Sequence, residues 1–320
     1  MPVPEADPGR IRTIPFAARA NRVDPGALAT PPGADLGVGA LLASLPDQLA
    51  AADLRRLIAH LAAAARTRRG VVLLLGGHVI KCGLAPLVIH LIRRGVVTHV
   101  ALNGAAAIHD WELACLGGTS EDVATGLEDG TFGMVAETGE GMNAAVQSGA
   151  REELGLGEAL ARSVRAWPGS TPGHSLLATC LDAGIGITVH PAIGADIIHQ
   201  HPSFDGAATG ATAARDFRRL AAALPTIDAG GAVLNIGSAV TLPEVFLKAL
   251  TVARNLGDGR PRGFLAADLD MIRHYRPGVN VVDRPTRGHG IGIRLTGHHE
   301  LLVPLLVWGV EDALRTAEPG

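Results

Sequence analysis

The segment Gly76–Gly83, reading GGHVIKCG, follows an apolar run, Val71–Leu75, and precedes a helix-like stretch, Leu84–Arg94. A glycine-rich turn between a strand and a helix offers bare backbone N–H groups to an anion such as a nucleotide phosphate. His78 and Lys81 would add contacts to phosphate or ribose; the plain alternative is a polar turn with a surface lysine. The spacing matches neither GxGxxG nor a Walker loop, so the turn alone is a weak signal. A second apolar run, Val96–Leu102, ends in Asn103-Gly104, and Ile108-His109-Asp110 then opens another helix. An imidazole beside a carboxylate can work as an acid–base pair near neutral pH, whereas an Asp in that place also serves as an N-cap. Cys82, at a helix start, is either a reactive thiol or a small packing residue.

Other residues carry possible chemistry further along. Gly237-Ser238 ends the apolar run Ala232–Ile236 and would line a cleft with Asn103 and Gly104. Glu244 lies one residue after Pro243 at a helix start, where a carboxylate is favoured whether or not it binds substrate. His298, His299 and Glu300 precede the apolar run Leu301–Val307. His190, Asp196, His199, His201 and Asp205 could together ligate zinc or a similar ion, yet HEXXH and paired cysteines are both missing.

These residues need a frame. Strand-like runs alternate with helix-like ones, and each strand is apolar throughout. The fold expected is α/β, with a mostly parallel sheet and helices on both faces. Aromatic residues make up 3% and hydrophobic residues 47% of the 320, so the core must be aliphatic. Residues 1–36, rich in Pro, Ala and Gly, read as an N-terminal arm, and 37–320 as one domain. A net charge of −3 with mixed signs gives no case for nucleic acid or anionic membrane. Three dispersed cysteines, a proline-broken N-terminus and the lack of an apolar run near 18 residues point to a cytoplasmic chain.

The order of segments resembles that of deoxyhypusine synthase and its relatives, from about Val71 to Leu314. It rests on LGGHVIKCG, VALNGAAAIHD, ITVHPAIGADI, ARDFRRLAAAL with AVLNIGSAV, FLAADLD and TGHHELLVPLL. The resemblance implies NAD cradled at the strand ends, with Gly76, Gly77, His78, Lys81, Asn103, Gly104, Asp196, Gly237, Ser238, Asp268 and His298 around it. It also implies a homo-oligomer, a tetramer, with an arm that reaches a neighbour. His109, Asp110, His299 and Glu244 are the expected catalytic groups, His109 or His299 taking a proton while the nicotinamide accepts hydride. The chain departs from the family where its catalytic lysine belongs: Gly288-His289-Gly290 stands there, and Lys81 and Lys248 are the only lysines. The expectation is therefore an NAD-dependent enzyme acting on a small polar substrate by hydride transfer, with or without group transfer, and not deoxyhypusine synthesis. A metal-dependent hydrolase built on the His190–Asp205 cluster, or a silent dinucleotide-binding module, are the rival readings.

Overall fold

The computed structural model describes residues 25–316, together with Arg10, Arg12, Pro15 and Ala18. Most of the expected arm lies outside the described residues; within it, Pro25–Ala27 forms a single 3-10 turn.

The chain opens with α1 (Val38–Ser44) and α2 (Leu49–Arg66), then β1 (Val71–Leu75), α3 (Gly77–Lys81), α4 (Ala85–Arg93) and β2 (His99–Asn103). A helical stretch follows: α5 (Gly104–Cys115), α6 (Val123–Asp129), α7 (Ala136–Arg151), α8 (Leu156–Ala166) and α9 (Leu176–Asp182). Strands and helices then alternate as β3 (Gly186–His190), α10 (Gly206–Ala223), β4 (Ala232–Ile236), α11 (Thr241–Leu256) and β5 (Leu265–Asp270). A π-helical turn, Pro277–Asp283, runs into α12 (Arg284–Thr286), β6 (Ile291–Thr296) and α13 (His299–Arg315).

The six strands form one sheet in the order β3-β2-β1-β4-β5-β6, and every neighbouring pair is parallel. This is the doubly wound order, whose direction of winding reverses between β1 and β4. The expected α/β class and helix-covered parallel sheet are what the structure has. The physical basis is visible in β1: Val71, Leu73 and Leu75 point into one core, and Val72 and Leu74 into the other. The first core packs against α2, α5 and α13 through Leu57, Trp111 and Val307; the second packs against α10 and α11 through Leu220 and Phe246. Both cores are mainly aliphatic.

One local expectation fails in a way that matters for the site. Gly76–Gly83 is not an open turn. Gly76 alone makes the bend, with extended backbone, and Gly77–Lys81 coils at once into α3. Only Gly83, at φ +74°, is left-handed and stops the coil. β5 also runs past Asp268 to Asp270, which draws Asp268 into the sheet.

Candidate functional site

The register aligns the C-terminal ends of all six strands along one edge, pairing Leu75 with Ile236, Asn103 with His190, and Asp270 with Thr296. At the β1/β4 reversal the edge is closed by the chain itself. Gly76 N–H bonds to Ile236 O at 2.9 Å, and a Cβ on Gly76 would overlap Gly237 O. Gly237, at φ +70°, stands against the His299 ring, where an added Cβ would come within 3.2 Å of Cε1. His299 is 1% exposed; its Nε2 lies 3.2 Å from Leu269 O and its ring packs edge-on against His78 at 5.4 Å. Burial holds the His299 pKa below the ordinary histidine value. The expected phosphate cradle at these two tips is therefore a packed joint.

The neighbouring groups are also committed. Asn235 Nδ2 donates to Ser238 O at 3.0 Å and to Asp268 Oδ1 at 2.8 Å. The Ser238 hydroxyl oxygen accepts Leu242 N–H at 3.3 Å, at the first turn of α11. Asp268 is buried, and loss of water pushes its pKa up to about 6.

Open space lies one strand over. A cleft of about 470 Å³ sits beside α3 and α5, past the ends of β1, β2 and β3. Its polar lining includes Lys81, His109, Glu112, Thr119, Glu121 and Asp196; Ile108, Leu116, Val123, Phe132, Val135 and Ile197 give it an apolar wall. Asn103, at the end of β2, caps α5: its Oδ1 accepts Ala106 N–H at 2.9 Å. Gly104 leaves room beside that cap for the Asp196 carboxylate, which would overlap any Cβ there. Asp196 Oδ2 takes Ala192 N–H at 2.8 Å, and burial raises its pKa. Gly77 brings α3 close to α5, its absent Cβ facing Ala105 at 3.0 Å and His109 at 3.2 Å.

His109 is the histidine in the lining of this cleft. Its Nδ1 is 2.7 Å from Thr119 Oγ1; Thr119 donates to Glu112 Oε2 at 2.5 Å, and Thr138 donates to Glu112 Oε1 at 2.8 Å. Burial first, and the Lys81 charge second, push the His109 pKa down to about 4, so the ring is neutral at pH 7.

The remaining expected residues go elsewhere. Asp110 leaves the cleft-facing side of α5 for the start of α9 and is 1% exposed. It accepts the Ser175 hydroxyl at 2.6 Å, Leu176 N–H at 2.7 Å and Leu177 N–H at 3.1 Å, which caps α9. Glu244 lies outside, paired with Lys248 and Arg276 and accepting from Asn280. His298 is exposed next to Glu300, 3.6 Å away. His78 Nε2 meets Cys82 Sγ at 3.2 Å, and burial with the nearby Glu300 charge raises that thiol's pKa, which disfavours a reactive thiolate.

The histidine-rich stretch does not converge. His190 is buried against Thr188 Oγ1 at 3.1 Å, with its pKa down to about 3, mainly from loss of water. His201 Nε2 faces Gly133 O at 2.7 Å, and Asp205 caps α10 through Ala207 and Ala208 N–H. Among the described residues no group of three or more His, Cys, Asp or Glu is placed to hold a metal ion.

Sequence reasoning missed Glu112 and Thr119. Glu112 could have been found, because His109-x-x-Glu112 places both on one helix face. Thr119 could not: it reaches His109 only through a fold-back of the loop after α5.

No family model matches the chain, and no curated protein matches it. Solved structures do share the fold. A conserved protein designated LOR/SDH, from Methanococcus maripaludis S2, is 14% identical over 83% of this chain and 71% of its own, with a TM-score of 0.51. AgrE, solved as a ternary complex with ornithine and NAD+, is 15% identical over 83% of this chain, with a TM-score of 0.51; the match spans 34% of AgrE. A protein designated a deoxyhypusine synthase, from Entamoeba histolytica, is 10% identical over 86% of this chain and 91% of its own. Its TM-score of 0.48 is too slight for a conclusion to rest on it. The α/β fold expected from the sequence is shared with the first two structures, and at these identities the likeness extends to the fold alone.

Proposed function

We propose that this protein is an NAD-dependent enzyme that acts on a small polar substrate by hydride transfer in the cleft beside α3 and α5. The observation that carries this reading is the position of the cleft: it opens outside the C-terminal ends of parallel strands in a doubly wound sheet, with a neutral, anchored His109 in its wall. Ligands of such sheets bind at that edge.

The residues present fit the cofactor in part. At the β1/β4 joint Gly76 and Gly237 are packed so closely that a Cβ on Gly76 would overlap backbone. The cleft does offer what a nucleotide needs: Lys81 as a cation, Asp196 as a hydroxyl acceptor, and an apolar wall for a ring. Lys81, Asn103, Gly104 and Asp196 would hold NAD. Bound there, the nicotinamide would supply a hydride acceptor. His109 would take the substrate's proton, and the apolar wall would exclude water from the reacting groups.

Authentic deoxyhypusine synthesis is not part of the proposal. Lys248 is on the surface of α11, and Lys81 is exposed at the cleft's rim, whereas imine chemistry needs a desolvated amine. A homo-oligomer fits the exposed Leu116, Val123, Leu127, Met134, Val135 and Ile193 near the mouth of the cleft; sedimentation equilibrium would test for a tetramer. Among the described residues no helix is long and apolar enough to cross a membrane.

Titration calorimetry of NAD into the full chain tests the central claim. Binding is expected, weakened roughly tenfold by Lys81→Gln or Asp196→Ala, as fits the loss of one charged contact worth about 1.4 kcal/mol. No heat of binding with the wild-type chain overturns it.

A further inference from the structure

Glu112 and Thr119, both in the lining of the cleft, fix the side chain on which the proposed chemistry depends. A threonine hydroxyl carries one proton. At Thr119 that proton points to Glu112 Oε2 at 2.5 Å. Glu112 is only 8% exposed, and its other oxygen accepts from the Thr138 hydroxyl at 2.8 Å, so both of its oxygens serve as acceptors. The Thr119 oxygen, its own proton spent, can only accept from His109 Nδ1 at 2.7 Å. The Nδ1 atom must therefore carry the hydrogen. In a neutral imidazole the lone pair then lies on Nε2.

We infer that Glu112 and Thr119 are positioning residues that hold His109 in its Nδ1–H form, leaving Nε2 as the proton acceptor of the cleft. The inference rests on reading the cleft as the active site, and it narrows the substrate to an alcohol or amine. In the step concerned, the substrate's O–H or N–H bond breaks, its proton passes to Nε2, and the bonding pair stays on the substrate oxygen or nitrogen. The carboxylate stabilises the imidazolium that results, through the intervening hydroxyl. The other charged groups lining the cleft are Lys81, Glu121 and Asp196. Glu121 Oε1 is engaged by Gly133 N–H at 2.9 Å, so Glu112 is the carboxylate that communicates with the ring.

Long-range 1H–15N correlation spectra of the labelled, ligand-free full chain at neutral pH test this without any turnover. The His109 ring, assigned by the loss of its signals in His109→Gln, should show a protonated Nδ1 and an unprotonated Nε2. Thr119→Val and Glu112→Gln should each convert it to a mixture of tautomers, and Thr119→Ser should keep the wild-type pattern; circular dichroism checks that each variant is folded. A wild-type ring protonated on Nε2, or one unchanged by Thr119→Val, overturns the inference. The wild-type spectrum decides even if a variant fails to fold. Calorimetry separates the two claims: a correct tautomer in a chain that does not bind NAD sinks the proposed function and leaves the hydrogen-bonded chain standing.

Discussion

The carboxylate of Asp196 lies directly against the Cα of Gly104, in the space a side chain on that glycine would fill. Asp196 follows β3 and Gly104 begins α5, so the contact ties two neighbouring strand ends together and sets one wall of the cleft. A negative charge beside the first turn of a helix is favoured by the helix dipole. Gly104→Ala should push the carboxylate out of place and cost about 1–3 kcal/mol, the usual penalty for overpacking. With Asp196→Ala in the same chain the space is vacated, and the glycine substitution should cost less than half as much. A double-mutant cycle by urea denaturation measures this coupling; additive costs would mean the two residues are independent.

Two glycines of one motif should respond to very different degrees. At Gly76 an added Cβ meets the main-chain oxygen of Gly237, which cannot move without displacing β4. At Gly83 it meets nothing within 4 Å, and the only penalty is the left-handed backbone at φ +74°. Gly76→Ala should abolish the folded state, read as loss of soluble protein and of a cooperative melt. Gly83→Ala should cost about 1–2 kcal/mol, the cost of a left-handed conformation.

That contrast marks what the sequence discloses. Runs such as Val71–Leu75 and Ala232–Ile236, bounded by glycines, announce buried parallel strands, and the alternation with helices implies the sheet. The approach of Gly76 to Gly237 is a contact across about 160 residues, and no local pattern reveals that it closes the expected crevice. His109 is legible as a candidate, but the carboxylate linked to it through Thr119 is Glu112 and not the expected Asp110. Asp110 is adjacent in sequence and Glu112 is three along; on a helix the second shares the face of His109 and the first does not. The histidine-rich stretch misleads for a related reason. A strand end, a 3-10 turn and a helix cap send His190, His201 and Asp205 to separate partners although they are close in the chain.

Stability should depend on pH through opposing groups. Loss of water raises the pKa of Asp216 to about 7, partly offset by hydrogen bonds from Val189 and Gly157, and that of Asp110 to about 6. A carboxyl with a raised folded pKa binds more protons folded than unfolded over that window. Its contribution is complete below the ordinary value near 3.8 and is lost as pH climbs to the folded value. His99 and His109, depressed to about 4 by burial, act the other way: their contribution is present above 6.5 and lost as pH falls toward 4. The wild-type profile should therefore be shallow between about pH 4 and 6.5. Asp216→Asn pays a constant penalty for a buried amide but loses the titration. The stability of the wild type relative to this variant should fall from about pH 4 to about pH 7 and then level off, by urea denaturation across that range. A difference independent of pH would mean Asp216 titrates normally.

Asp110 and Glu112 supply the sharpest contrast, since both are acidic, both are buried on α5, and only one faces the cleft. Asp110→Ala strips acceptors from the Ser175 hydroxyl and from Leu176 and Leu177 N–H. Each unsatisfied buried donor costs about 1–3 kcal/mol, so the variant should lose at least ~3 kcal/mol and melt well below the wild type. Because α9 lies behind α5 and away from the cleft, NAD affinity at a temperature where the variant is folded should stay within about twofold, a difference below ~0.4 kcal/mol. Glu112→Gln preserves shape and leaves an acceptor for one of its two threonines, so its melting point should shift far less, while proton transfer at His109 should slow. Measuring melting temperature and the rate of NAD reduction on both variants separates a residue that holds a helix from one that tunes a base. Equal losses in both measurements for both variants would mean that α5 responds to any change as one body, and the assignment of separate roles to its two faces would have to be withdrawn.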